Sequence, residues 1–196
     1  DIYFFSLYKV YGPHLGVMVM RDAVNRALPN QGHFFNVGYA TSRFTPAGPD
    51  HAQIAAVNGV IDYFEALDRH HFADGNVSNA ERTRRMGNLL HSAETANLRP
   101  LLDFLKDRPG INLIGKTTTD NRAPTVAFTV DGKNPEDIAK ALAEQRIGIA
   151  NGNCYAYRLM QALNVDADTG VVRLSFVHYT SEEEVGRLIG ELGVVV

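Results

Sequence analysis

Apolar residues along this chain alternate between short continuous runs and helical stripes. Tyr3 to Phe5 and Gly16 to Met20 are runs that read as two short buried strands, flanking a turn at Tyr11-Gly12-Pro13-His14. Residues 21 to 50 carry Pro29, Gly32, Gly38, Pro46, Gly48 and Pro49 and read mostly as loop. From about Asp50 to Asp68 the period becomes helical. Ile54, Val57, Ile61 and Phe64 step by three and four, and so do Ala56, Val60, Tyr63 and Leu67, so the two stripes predict a largely buried helix. Ala73-Asp74-Gly75-Asn76 reads as a junction. Ser78, with Glu81 three residues on, then makes a capping box for a long helix carrying Met86, Leu90, Ala93, Leu101 and Leu105. Pro100 predicts a kink in that helix, and Pro109-Gly110 ends it.

Strands and helices alternate through the remainder. Ile111 to Ile114, Thr125 to Val130 and Val171 to Val177 read as strands, and Ile147 to Ala150 is short and apolar. Asn134 as N-cap with Pro135 at the first helical position opens a helix to about Arg146. Thr180 and Glu183 read as a further capping box before Val185, Leu188, Ile189 and Leu192, one face of a terminal helix. The fold class expected is α/β: the end of an α/β domain over about 1–75, then a smaller α+β domain over 76–196.

Composition narrows the functions. The 196 residues are 45% hydrophobic and 21% charged with a net charge of -3, the balance of an ordinary soluble protein. Without a basic run or a long apolar stretch, nucleic acid and membrane are not expected partners. The single cysteine, Cys154, excludes an internal disulfide framework and fits a reducing cytosol, and no Cys/His cluster has metal-ligand spacing. The paired His70 and His71 close a helix, where cations suit the dipole. The opening run Asp1-Ile2-Tyr3-Phe4-Phe5-Ser6 lacks a start methionine, a basic segment and a cleavage site. It is therefore not a signal peptide, and a chain that begins inside a strand is expected to be a fragment.

Three segments carry candidate chemistry. Lys9 directly follows a predicted buried strand and precedes a Gly-Pro turn. Desolvating an ammonium is costly, so an inward Lys9 would have a lowered pKa and suit Schiff-base chemistry; the alternative is an exposed loop lysine. Ser42-Arg43-Phe44-Thr45-Pro46-Ala47-Gly48-Pro49 is a Pro/Gly-rich turn leading into a helix. In Val171-Val172-Arg173-Leu174-Ser175-Phe176-Val177, alternation puts Val171, Arg173, Ser175 and Val177 on one face. An arginine there needs either a salt-bridge partner or a ligand.

The segment Phe5-Ser6-Leu7-Tyr8-Lys9-Val10-Tyr11-Gly12-Pro13-His14 resembles the lysine segment of the class V aminotransferase and cysteine desulfurase superfamily, closest to a desulfurase-like subgroup. The resemblance runs in order through nearly the whole chain. It implies the C-terminal half of pyridoxal-phosphate (PLP) fold type I, with the active site at a homodimer interface. It implies PLP as cofactor, bonded covalently by Lys9, with Ser6 and Tyr8 as donors to the phosphate. Tyr8 stands where the desulfurases have histidine. The loop through Thr45 and Gly48 is similar to the family's phosphate-reaching Arg-Phe-x-x-Gly-Thr segment, with Ala47-Gly48 in place of Gly-Thr, so Thr45 or backbone N–H groups would serve. Arg173 matches the arginine of the family's Arg-x-Ser-x-x-x-Tyr strand, which binds a substrate α-carboxylate, and a guanidinium fork suits that group. The segment Gly148 to Ala156 lies in the region of the desulfurase nucleophile loop, but its register puts Tyr155, not Cys154, at the nucleophile position. The implied activity is PLP-dependent chemistry on an amino acid in the cytoplasm: desulfuration, transamination, elimination or racemisation. The competing expectation is a stand-alone, non-catalytic domain that keeps the fold for binding or assembly.

Overall fold

The computed structural model describes residues 1–45, 48–74 and 77–196. Pro46 and Ala47 of the candidate phosphate loop, and Gly75 and Asn76 of the expected junction, lie outside the described residues. The chain divides into two compact units, Asp1–Arg82 and Thr83–Val196.

In the first unit, β1 (Ile2–Ser6) and β2 (Gly16–Met20) pair antiparallel, Phe4 opposite Met18. Both predicted strands form, but they are not buried. Tyr3 and Phe4 are 67% and 66% exposed, because the two-stranded ribbon has no further strand or helix over its apolar face among the described residues. A 3-10 turn, Leu7–Val10, follows β1 and buries Leu7. The stretch expected as loop contains α1 (Asp22–Ala27), six residues steadied by an Arg26–Asp22 ion pair at 2.7 Å and too short to show a stripe.

The predicted helix from Asp50 is two helices, α2 (His51–Ala56) and α3 (Asn58–His71). Asp50 is the N-cap, its carboxylate accepting from the N–H groups of Ala52 and Gln53. The break falls at Val57, where the backbone tightens to i→i+3 bonds: Val57 N–H donates to Ile54 O, and Val60 N–H to Val57 O. The expected burial does not follow. Asp68 is the only buried residue of α3, and Ile54 and Ile61 are exposed.

Helix α4 (Asn79–Lys106) starts as expected, with Glu81 N–H donating to Ser78 Oγ at 3.2 Å, and it runs through Pro100. Its buried positions Leu98, Leu101, Leu102 and Leu105 belong to the core of the second unit. That core is built on a four-stranded antiparallel sheet of β3 (Ile111–Ile114), β4 (Thr125–Val130), β5 (Ala150–Gly152) and β6 (Val171–Ser175), in the order β3-β4-β6-β5. Val126, Phe128, Val172 and Leu174 face Ile138 and Leu142 of α5 (Pro135–Glu144) and Val185, Leu188 and Leu192 of α7 (Glu182–Val195). Strand alternation and helical stripes thus close on one another. Asn134 caps α5 by accepting from Glu136 N–H at 2.9 Å. The opposite sheet face carries a smaller cluster, Val171 with Met160 and Ala167, around α6 (Tyr157–Ala162), which the apolar pattern did not announce. The capping box of α7 is Ser181 with Glu184, one residue beyond the predicted Thr180 and Glu183, because Thr180 Oγ1 already accepts from Val177 N–H at 3.2 Å.

Candidate active site

In the first unit, Lys9 sits on the 3-10 turn that β1 leads into. It is exposed, so the inward, desolvated lysine is not what the chain shows, and the loop-lysine alternative describes its setting. Lys9 and Ser6 line one open hollow of about 650 Å³, walled by Tyr3, Phe5, Val17 and Met18. Lys9 Nζ stands 5.6 Å from the centroid of the Tyr8 ring, within cation–π reach. The Tyr8 ring stacks on His14 with centroids 4.7 Å apart. Among the described residues, no carboxylate pairs with Lys9.

Thr45 lines a neighbouring hollow that shares Gly16 and Met18 with the first, so β2 runs between them. Gly48 is exposed, with open space where a side chain would project. Arg43 holds this loop in place: its guanidinium donates to Asn25 O at 2.8 Å and to Leu28 O, tying the loop to α1.

In the second unit, Arg173 lies half-buried at the centre of β6. Its cross-strand neighbours are Ala127 on β4 and Ala150 on β5, so small side chains flank the guanidinium on both sides. Its Nε is buried and has no hydrogen-bond partner. Among the described residues no carboxylate pairs with it, so the salt-bridge explanation finds no partner there. A buried, unsatisfied donor on a cation is costly, and an acceptor such as a carboxylate would offset it. One position along the same face, Ser175 Oγ and Thr125 Oγ1 are hydrogen-bonded at 3.2 Å.

A family model for class-V aminotransferases matches residues 1–188. The chain belongs to the aminotransferase class-V family. It is 32% identical over 200 residues to an aminotransferase-like protein of Gibberella zeae, covering all of this chain and 46% of that protein. Among solved structures it is similar to a cysteine desulfurase of Thermococcus onnurineus, with a TM-score of 0.76 at 21% identity, over all of this chain and 47% of that one. It is also similar to a C-DES variant with glycine covalently linked to its PLP cofactor, with a TM-score of 0.61 at 20% identity, over 98% of this chain and 45% of that one. These likenesses give the fold, that of PLP fold type I. The chain spans about half the length of the relatives it matches.

For a class-V chain, the donor set in the first unit suits the cofactor. An unpaired primary amine and a hydroxyl border one hollow, matching the aldehyde and phosphate that PLP presents. In the second unit, Cys154 is half-buried, its Sγ 3.7 Å from Gly152 O, while Tyr155 beside it is fully exposed. Both take left-handed backbone, φ 50° and 63°. The turn is anchored by Asn153, which donates to Ala167 O at 3.2 Å and accepts from Tyr155 N–H at 3.1 Å. Gly170 adjoins Gly152 so tightly that a Cβ there would lie 2.0 Å from Gly152 C. Neither this glycine contact nor the placement of alanines beside Arg173 is announced by the sequence. Both depend on strand register, which no local pattern reveals.

Proposed function

We propose that this chain is part of a PLP-dependent enzyme acting on an amino acid, of aminotransferase or desulfurase-like type. The observation that carries the reading is Arg173, a half-buried guanidinium whose buried Nε has no partner. When bound, PLP supplies the electron sink that lets a bond at the substrate's α-carbon break. This chain's residues bind and orient. Lys9 is the covalent anchor. Ser6 and Tyr8 donate to the phosphate, and Thr45 and the backbone around Gly48 add donors. Arg173 holds the α-carboxylate as a two-pronged donor, fixing the amino acid's orientation. Residues 1–75 are assigned to the cofactor-binding domain and 76–196 to the small domain. The protein is assigned to the cytoplasm as a homodimer. The 196 residues alone are proposed to be inactive: the exposed β1–β2 ribbon leaves the hollow around Lys9 open to water, and cofactor chemistry needs a dry, preorganised pocket.

The test is substitution in the intact protein. Lys9→Ala removes the yellow, borohydride-fixable absorbance that appears on adding PLP; persistence of that signal would move the anchor to another lysine. Arg173→Ala weakens amino-acid binding by about 2–5 kcal/mol while leaving cofactor affinity nearly unchanged. Equal losses of both would make Arg173 structural.

A further inference from the structure

We propose that helix α3 braces the lysine turn, with Tyr11 and Gly12 as the residues that position Lys9; the functional meaning of the brace rests on the reading of Lys9 given above. The turn is closed at its base by Leu7, buried, whose N–H donates to Leu15 O at 2.9 Å and whose carbonyl accepts from Gly12 N–H at 2.8 Å. Tyr11 ends the turn in left-handed backbone, φ 67°, a conformation that a bulky side chain adopts only when its surroundings hold it. What surrounds it is α3: the Tyr11 ring lies 5.5 Å from the Tyr63 ring and 6.3 Å from that of Phe64. Next to it, Gly12 has no room for a side chain. An added Cβ would come within 2.9 Å of Val60 Cγ2 and 3.0 Å of Leu7. The turn therefore meets one face of α3 through Val60, Tyr63 and Phe64. The Tyr8–His14 stack links the two arms of the turn, with Lys9 Nζ 5.6 Å from the centroid of the Tyr8 ring. An exposed lysine on a free loop would sample many positions. Here the backbone that carries it is fixed at both ends, which is the preorganisation that attack on a carbonyl requires.

The experiment uses the chain itself and does not depend on the cofactor. Reductive methylation with ¹³C-formaldehyde gives a resolved NMR signal for each of Lys9, Lys106, Lys116, Lys133 and Lys140. The Lys9 signal is expected to be displaced by the Tyr8 ring current, as assigned by its loss in Tyr8→Leu. Tyr11→Gly relieves the backbone strain but removes the ring, and Gly12→Ala drives a methyl group into Val60. Both are expected to erase most of the displacement while the other four signals stay put. Tyr11→Phe keeps it, and adding Val60→Ala to Gly12→Ala recovers part of it. If either turn variant unfolds the first unit, Tyr63→Ala trims the brace from the α3 side and decides by the same signal. An undisplaced Lys9 signal in the unmodified sequence, or one that Tyr11→Gly, Gly12→Ala and Tyr63→Ala leave unmoved, overturns the brace. Reductive pyridoxylation followed by peptide mapping tests the cofactor reading separately. A displaced, variant-sensitive Lys9 signal without preferred labelling at Lys9 would uphold the brace and refute the cofactor role.

Discussion

The two units treat the same kind of apolar pattern in opposite ways. In Thr83–Val196, Phe128, Leu101, Leu105, Leu142, Val172 and Leu192 are fully buried in one cluster drawn from two strands and three helices. In Asp1–Arg82, Leu7 and Asp68 are the buried residues among those described, while Tyr3, Phe4, Val19 and the aromatics Phe34, Phe35 and Tyr39 are exposed. Hydrophobic residues guarantee burial only when a second layer is present to receive them. The second unit contains both layers. The first holds a ribbon, helices and an exposed Lys9 with little over them, and exposed apolar area of this kind is what interacting surfaces commonly show.

The sharpest way to break that comparison is to truncate an aromatic ring in each unit. Phe128→Ala should destabilise the second unit by about 3–5 kcal/mol, since it removes a fully buried ring and leaves a cavity. Phe4→Ala, at a position 66% exposed, should stay within about 0.5 kcal/mol. Urea titrations followed by circular dichroism and by thermolysin cleavage within residues 1–82 would report the units separately. A large cost for Phe4 would mean that the ribbon is covered in solution.

This contrast also explains how much the sequence revealed. The strands Ile111–Ile114 and Thr125–Val130, the Asn134 cap and the buried stripe of α7 were all legible, because each follows from a period or a cap that its own unit satisfies. Where two local solutions competed, the pattern could not choose. Thr180 and Ser181 each have a glutamate three residues on, and the turn bond from Val177 N–H to Thr180 Oγ1 settles which hydroxyl is free to cap. The stripes around α3 promised burial from periodicity alone, which cannot see whether anything packs against the helix. Of the candidate residues, the strand positions of Ser6 and Arg173 were legible, whereas the inward Lys9 was not what the chain shows. The left-handed Tyr11 and the alanines flanking Arg173 were not legible, since positive φ in a tyrosine and strand register leave no local signature.

A smaller effect compares the caps. Asn134→Ala removes the side-chain acceptor for Glu136 N–H and should cost the second unit about 1 kcal/mol. Asp50→Ala removes the acceptor for two N–H groups of α2, but α2 is six residues long and buries nothing, so fraying should absorb the loss with little change in global stability. Amide exchange would show the difference: slowed protection lost across α5 in the first case, and faster exchange confined to residues 51–56 in the second. Cys154→Ala should leave most activity of the intact protein in place, because the thiol is half-buried against Gly152 O while Tyr155 takes the exposed position. A persulfide found on Cys154 during turnover with cysteine would contradict this.

The mildest expected effect is one of pH, and it too separates the units. Burial lowers the pKa of His178 below its ordinary 6.5, so the folded second unit prefers the neutral imidazole. As pH falls through about 6.5, the unfolded chain takes up a proton before the folded one does. Stability of the second unit therefore declines from that point until pH passes the lowered folded value, where the contribution is fully lost. Glu94, whose pKa burial raises above 4.5, acts in the opposite sense but nearer its own range. In the first unit, Asp50 is held below 3.8 by the N–H of Gln53, first among its contacts, so its contribution persists through mild acid and disappears only as pH falls through that lowered value. Urea midpoints measured between pH 7 and pH 5 should thus fall slightly for the second unit and stay level for the first. His178→Gln should flatten the second unit's profile; an unchanged slope in that variant would show that another group carries the proton.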